Sequence, residues 1–228
     1  MTARVGVVQF PGTNCELDVA WSVEQLGAQA EMCWHGFATI RGADAVVVPG
    51  GFAHGDYLRT GALARFSPVM TAVSEFAAAG GPVVGICNGF QVLTEARLLP
   101  GALQKNAGLK FLCETVELRV ETTSTVLTNA CEPGQVLRVP INHFEGNYVC
   151  DDATLAELRA DDRVVVRYVD NPNGSLDDIA GICNAARNVV GLMPHPERAS
   201  DEVLGSADGV VLLRSLLAAA AEGARLAS

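Results

Sequence analysis

Short, β-branched apolar runs at Arg4–Phe10, Ala43–Val48 and Pro82–Ile86 punctuate the first hundred residues. Runs of this kind mark strands buried on both faces of a parallel sheet, and a further strand is expected near Ala30–Trp34. Between them, apolar residues recur at helical spacing. One helix is expected from about Cys15 to Leu26, capped by Thr13 or Asn14 and closed by Gly27. A second runs from Ser67-Pro68 to Ala79, with proline at its first position and Gly80-Gly81 at its end. A third runs from Asn88 to Ala96. Such alternation predicts right-handed crossovers in a doubly wound unit.

Beyond Leu99-Pro100-Gly101 the texture changes to alternating, β-rich segments at Phe111–Val120, Ser124–Leu127 and Gln135–Ile141, expected as antiparallel strands. A helix is expected at Asp152–Arg159 and a strand at Arg163–Val169. Asn171-Pro172-Asn173-Gly174-Ser175 is dense in turn formers, Ile179–Cys183 and Val189–Met193 form a hairpin, and a last helix covers about Ala207–Glu222. No repeat, low-complexity tract or inter-domain linker interrupts the chain. The expected fold class is α/β, three-layer and doubly wound, with a mostly parallel sheet and a β-rich insertion, in one domain over residues 1–228.

Composition narrows the class. Of 228 residues, 49% are hydrophobic and 18% charged, which excludes a disordered or fibrous chain. Acidic residues outnumber basic ones 26 to 16, for a formal net charge of −10, and no basic cluster supplies the footprint of a nucleic-acid binder. The 7 cysteines include no C-x-x-C pair, and an odd number cannot all pair within one chain, so a reducing compartment is expected. The chain opens on a strand-like segment instead of a signal-type one, and Val210–Ala221 is too short for a bilayer and carries Arg214. A soluble, cytoplasmic protein without a membrane partner is the expectation.

Chemistry concentrates at Gly85-Ile86-Cys87-Asn88-Gly89, where a buried strand hands over to a helix. Glycines two residues to either side of a candidate nucleophile are the spacing of a strained strand-to-helix elbow. Unpaired amides and the helix dipole at that junction favour a thiolate and an oxyanion. Free cysteine is also a common small hydrophobe in buried turns, so partners are required. In α/β sheets they lie just past other strand ends. Gly50-Gly51-Phe52 can offer backbone amides opposite the Asn88 amide. His195 and Glu197 in Met193-Pro194-His195-Pro196-Glu197 can project to one side, because the residue before Pro196 is pushed toward extended backbone. His143 and Glu145 have the same spacing, and spacing leaves both pairs open. The prolines give His195 the more fixed geometry. Four scattered histidines, with neither H-x-x-x-H nor C-x-x-C, offer no metal constellation.

Gly85-Ile86-Cys87-Asn88-Gly89-Phe90-Gln91, with Pro49-Gly50-Gly51 upstream and Pro194-His195-Pro196-Glu197 downstream, resembles the class I glutamine amidotransferases. Within that family, Phe10-Pro11-Gly12-Thr13-Asn14-Cys15, the loop Gly51–Arg59, Leu98–Leu103, His143–Gly146, Asn171–Ser175 and Met193–Ala199 are similar to glutaminase subunits of purine biosynthesis. The resemblance implies a flavodoxin-like fold, with Cys87 as nucleophile, His195 as base and acid, and Glu197 orienting it. It implies Gly51, Phe52 and the Asn88 amide as the oxyanion site, and Gln91, Asn106 and Phe111 as substrate contacts. His143 and Glu145 become a secondary motif, with Phe144 in place of the usual small residue and His54 in place of a usual aromatic.

The same resemblance implies that L-glutamine is hydrolysed and that ammonia passes to a separate synthetase subunit acting on formylglycinamide ribonucleotide, beside a small accessory subunit. ATP and Mg are then expected on the synthetase and no cofactor on this chain, which has no Walker-type loop. Docking of the synthetase is expected to set the loops Gly50–Gly61 and Asn142–Tyr148. Two readings from other classes stay open: a stand-alone cysteine hydrolase of peptides or esters, which would use the same elbow, and a non-catalytic binding subunit.

Overall fold

The computed structural model describes residues 2–226. Its first half runs β1 (Arg4–Gln9), α1 (Glu16–Gln25), β2 (Gln29–Trp34), β3 (Ala45–Val48), α2 (Pro68–Ala78), β4 (Val83–Ile86) and α3 (Asn88–Glu95). These elements follow the apolar pattern, differing from it only at their ends. The second half runs β5 (Ala102–Gln104), β6 (Leu112–Val120), β7 (Val136–His143), β8 (Asn147–Val149), α4 (Asp152–Ala160), β9 (Val164–Tyr168), β10 (Ile179–Cys183), β11 (Val189–Leu192) and α5 (Val210–Leu226).

Nine strands form one sheet in the order β2-β1-β3-β4-β11-β10-β9-β6-β7. Pairing is parallel from β2 through β11 and antiparallel from β11 through β7, so β10 and β6 alone oppose the common direction. The β-rich segment therefore widens the central sheet, leaving only β5 and β8 as a separate two-stranded ribbon. Sequence explains where each strand lies. Every residue of β3, β4, β10 and β11 is buried, as continuous apolar runs require. Nearer the sheet edge, β6 buries Val116, Leu118 and Val120 and exposes Glu117 and Arg119 between them.

Helices cover both faces. The right-handed crossovers β1-α1-β2 and β3-α2-β4 step to opposite sides of β1, which puts α1 and α2 on opposite faces. α1 packs on β1 and β2 and touches α5; α3 lies on β3, β4 and β11. Among the described residues no helix is long and apolar enough to cross a membrane. Because β1, β3, β4, β11 and β7 all point one way, their carboxyl ends gather on one edge of the sheet, where an α/β fold places its ligands.

Ser124–Leu127 is not a strand but a turn. The Thr125 hydroxyl accepts from the Leu127 amide at 3.2 Å and pairs with the Thr128 hydroxyl at 2.7 Å. Hydroxyl side chains that bond nearby backbone compete with ladder formation, and here they win over the β-branched pattern. The three-residue strands β5 and β8 were not anticipated, being too short to show a period.

Candidate active site

β4 ends at Ile86 and α3 begins at Asn88, so Cys87 alone makes the turn, with φ 51° and ψ −107°. A non-glycine residue there is strained by about 1–3 kcal/mol and persists only where its surroundings over-determine it. The Cys87 amide donates to the Leu192 carbonyl of β11 at 2.8 Å, and its own carbonyl accepts from the Gln91 amide at 3.2 Å. Contact dictates the flanking glycines. A Cβ on Gly89 would lie 1.8 Å from the Val48 carbonyl oxygen, and one on Gly85 would lie 2.7 Å from the Gly89 backbone. The thiol is buried, with Sγ 3.7 Å from the Asn142 carbonyl oxygen.

β11 leads through Met193-Pro194 to His195, whose amide donates to the Pro140 carbonyl at 2.9 Å. Pro196 then opens a 3₁₀ turn, Pro196–Arg198. That turn, and not the expected extended dipeptide, folds Glu197 back so that its Oε1 accepts from His195 Nδ1 at 2.6 Å. The Glu197 carbonyl accepts from the hydroxyls of Ser22 on α1, at 3.0 Å, and Ser200, at 2.8 Å. Both His195 and Glu197 are 1% exposed. Burial opposes an imidazolium, but the adjacent Glu197 carboxylate outweighs it, and the sulfurs of Cys87 and Cys15 add to the gain. His195 is thereby held well above the ordinary histidine range.

With Nδ1 committed, His195 Nε2 has no hydrogen-bond partner among the described residues. The ring and the elbow meet over Gly50: a Cβ there would come 2.7 Å from His195 Cε1 and 3.5 Å from Cys87 Cβ. Only glycine at 50 lets imidazole and thiol share that space.

A cavity of about 500 Å³ opens beside them, lined among others by Gly51, Gln91, Asn142, His143 and Glu145. The amides of Gly51 and Asn88 donate to no protein acceptor among the described residues, which fits an oxyanion site at a helix start. Phe52 corrects the expectation. Its amide already donates to the Gly12 carbonyl at 2.8 Å and so is not a free oxyanion donor, although the residue lines the cavity. Gln91 does line the cavity, donating to the Glu145 carbonyl oxygen and accepting from Asn88 Nδ2 at 2.9 Å.

Asn106 and Phe111 are also corrected as substrate contacts. Asn106 lies outside the cavity lining, 1% exposed, with its side chain fully used. Its Nδ2 donates to the Lys110 and His143 carbonyls, at 2.9 and 3.0 Å, and its Oδ1 accepts from the Gly146 amide and His143 Nδ1, both at 3.1 Å. Phe111 is half exposed and away from the cavity. His143 and Glu145 both line the cavity without bonding each other; Asn106 takes His143 Nδ1, and Nε2 has no partner among the described residues. Burial, with the charge of His195, pushes His143 down to about 4.

Cys15 and Arg198 belong to the site although no role was expected for them. Arg198 Nη2 lies 3.2 Å from Cys15 Sγ, and its Nε pairs with Asp18 at 3.2 Å. Cys15, His195 and Glu197 offer ligand-type atoms within 4.8 Å of one another. The Arg198 guanidinium on the sulfur, however, puts positive charge where a metal ion would have to sit. A signal existed in the Cys15 of the Phe10–Cys15 motif, but nothing along the chain ties it to Arg198, 183 residues away.

A family model described as a CobB/CobQ-like glutamine amidotransferase domain matches residues 2–208. A Rubrobacter xylanophilus protein named phosphoribosylformylglycinamidine synthase subunit PurQ is 59% identical over 217 residues, covering 95% of this chain and 99% of that protein. The PurQ subunit of Koribacter versatilis is 56% identical over 229 residues, covering 96% and 99%. Among solved structures, a PurLQS structure from Thermotoga maritima superposes with a TM-score of 0.88 at 41% identity, over 96% of this chain and 99% of that chain. Similarity of this extent, running through the elbow, the His195 turn and the sheet that carries them, means that the chain belongs to the PurQ family of glutamine amidotransferases.

Proposed function

We propose that this chain is the glutaminase subunit of a phosphoribosylformylglycinamidine synthase, hydrolysing L-glutamine to L-glutamate and ammonia with Cys87, His195 and Glu197. One observation carries the catalytic assignment: a strained thiol at a helix start meets, over Gly50, an imidazole whose Nδ1 is bound to a buried carboxylate and whose Nε2 is free. The His195 imidazole takes the Cys87 proton, and the thiolate attacks the side-chain carbonyl carbon of glutamine. The amides of Gly51 and Asn88 hold the oxyanion, a role in which one donor contributes ~10²–10³ in rate. The imidazolium, stabilised by Glu197, protonates the leaving nitrogen, and ammonia departs as the thioester forms. Water then gives a proton to the same imidazole and attacks the thioester, releasing glutamate and restoring the thiol.

The ammonia serves a separate synthetase subunit, which holds ATP and Mg and aminates formylglycinamide ribonucleotide, assisted by a small accessory subunit. The PurLQS assembly of the Thermotoga maritima relative supports that partnership. The chain acts as one domain, in the cytoplasm, without a cofactor of its own.

The test is synthesis by the reconstituted complex with glutamine or with ammonium as nitrogen source. Cys87→Ala removes the glutamine-dependent reaction and spares the ammonium-dependent one. Loss of both together would show that the division of labour is wrong, and acylation of Cys87 by peptides or esters in preference to glutamine would favour a stand-alone hydrolase.

A further inference from the structure

A second cavity, of about 520 Å³, opens where α3 ends and the chain turns through Leu98–Gly101 toward β5. Four arginines line it, Arg59, Arg65, Arg97 and Arg163, against Glu95 as the single carboxylate among the lining residues. Four of the 16 basic residues of a chain with formal net charge −10 thus meet in one space. They come from separate places along the sequence, so no basic run announces them.

Glu95 is already taken. Arg59 holds it in a two-pronged pair at 2.6 and 2.7 Å. The other three guanidiniums form no ion pair among the described residues. Arg65 Nη1 donates to the Glu95 carbonyl at 3.0 Å and Arg163 Nε to the Cys183 carbonyl at 3.1 Å, whereas the Arg97 side chain makes no hydrogen bond among those residues. Glu75 shares an adjoining groove with Arg65 and Arg97 but pairs with neither. Three positive charges therefore lack a carboxylate, and most of their N–H groups lack a protein acceptor.

Like charges repel, so the fold must hold these side chains around a preformed wall. The amides of Leu98 and Leu99 both donate to the Leu93 carbonyl, at 3.0 and 3.3 Å, which turns the chain sharply past α3. The buried Tyr148 hydroxyl donates to the Pro100 carbonyl at 3.1 Å. Gly101, at φ 82°, completes the wall, because a Cβ there would run into that same hydroxyl.

The charge and shape select the ligand. A guanidinium fork suits both carboxylate and phosphate, but a carboxylate is planar and carries one charge. A phosphate group carries about −1.5 to −2 at neutral pH on three terminal oxygens, and so can answer several arginines approaching from different sides. The cavity is large enough for a small molecule, since such sites run from about 300 to 1,000 Å³.

We propose that this cavity is a binding site for the phosphate group of a small molecule, held by Arg65, Arg97 and Arg163, with the remainder of the ligand along Leu98–Pro100. The site is separate from the carboxamide chemistry at Cys87, although Arg59 lines both cavities.

The test is titration calorimetry of the full chain at physiological salt with ribose 5-phosphate, inorganic phosphate and glutarate, a dicarboxylate. Both phosphate probes are expected to bind saturably, one per chain, and glutarate about tenfold more weakly or not at all. Tighter binding of ribose 5-phosphate identifies a phosphorylated metabolite as occupant, and tighter binding of inorganic phosphate the free anion; either supports the site. Arg97→Gln, which removes no hydrogen bond or ion pair within the protein, is expected to weaken phosphate binding about 10–100-fold, the span of a charge-assisted hydrogen bond, and Arg163→Gln to do the same. Should Arg163→Gln fail to fold, Arg97→Gln alone decides. Wild-type protein that binds neither phosphate probe saturably, glutarate bound as tightly as phosphate, or affinity unchanged in folded variants would overturn the site.

Discussion

His143 and His195 begin alike and end as opposites. His143 ends β7 and His195 lies just past β11, each has a glutamate two residues on, and each is almost fully buried beside the same cavity. At 195, Pro196 forces a 3₁₀ turn that brings the carboxylate to the ring at 2.6 Å, and the imidazolium is favoured. At 143, the ring is claimed by Asn106, and burial holds the imidazole neutral. Equal spacing thus yields a charge-stabilised base in one case and a fixed neutral acceptor in the other. The local turn and the partner brought in from elsewhere decide which.

The largest effect separating them should be on rate. His195→Ala is expected to lower kcat for glutamine about 10²–10⁴-fold, the usual contribution of a positioned acid–base, and His143→Ala far less. Glutamate formation by the assembled synthase measures both. Equal losses, in variants that fold, would reopen the choice between the two pairs.

The next effect is on stability against pH, where the two histidines have opposite signs. His143, held near 4 when folded, is protonated first in the unfolded chain. Its neutral form supports the fold fully above the unfolded value of ~6.5, and up to ~3 kcal/mol of that support is lost as pH falls from there toward 4. His195, raised on folding, contributes most below ~6.5 and loses its contribution as pH rises through its folded value. Denaturant titrations from pH 4 to 7 should find the wild type losing stability more steeply toward acid than His143→Gln. Parallel curves would contradict the assignment.

Removing the groups that hold each histidine gives smaller effects. Asn106→Ala leaves the Gly146 amide and His143 Nδ1 without their acceptor and should cost about 1–3 kcal/mol by urea unfolding. Ser22→Ala takes one of two hydroxyls from the Glu197 carbonyl and should cost about 1 kcal/mol, read in the same way. A larger loss from Ser22→Ala than from Asn106→Ala would reverse the ranking.

The sequence discloses the parts of this contrast that local geometry controls. The elbow is legible because Gly85 and Gly89 flank Cys87 at fixed spacing in one short strand-to-helix unit, although the contact that demands Gly89 comes from Val48 of β3. The His195–Glu197 pair is legible because proline restricts the backbone between its members. Continuous apolar runs likewise announce β3, β4, β10 and β11. What stays hidden depends on distant partners. Asn106 holds a histidine 37 residues away, so residue type alone cannot separate it from a substrate contact. The amide of Phe52 is occupied by Gly12, a pairing that exists only once the loops after β1 and β3 lie side by side. The turn at Ser124–Leu127 has β-branched residues, but its hydroxyls bond locally. Cys15 looks like any other cysteine until Arg198 reaches it.

That last neighbour makes one measurement decisive for the central assignment, because two thiols, Cys87 and Cys15, border the same imidazole. The assembled synthase is quenched in acid during turnover of glutamine, digested, and searched by mass spectrometry for a γ-glutamyl adduct. The adduct is expected on the peptide containing Cys87, present in His143→Ala and strongly reduced in His195→Ala. An adduct on the Cys15 peptide, or one on Cys87 that forms equally fast without His195, would contradict the assignment of nucleophile and base.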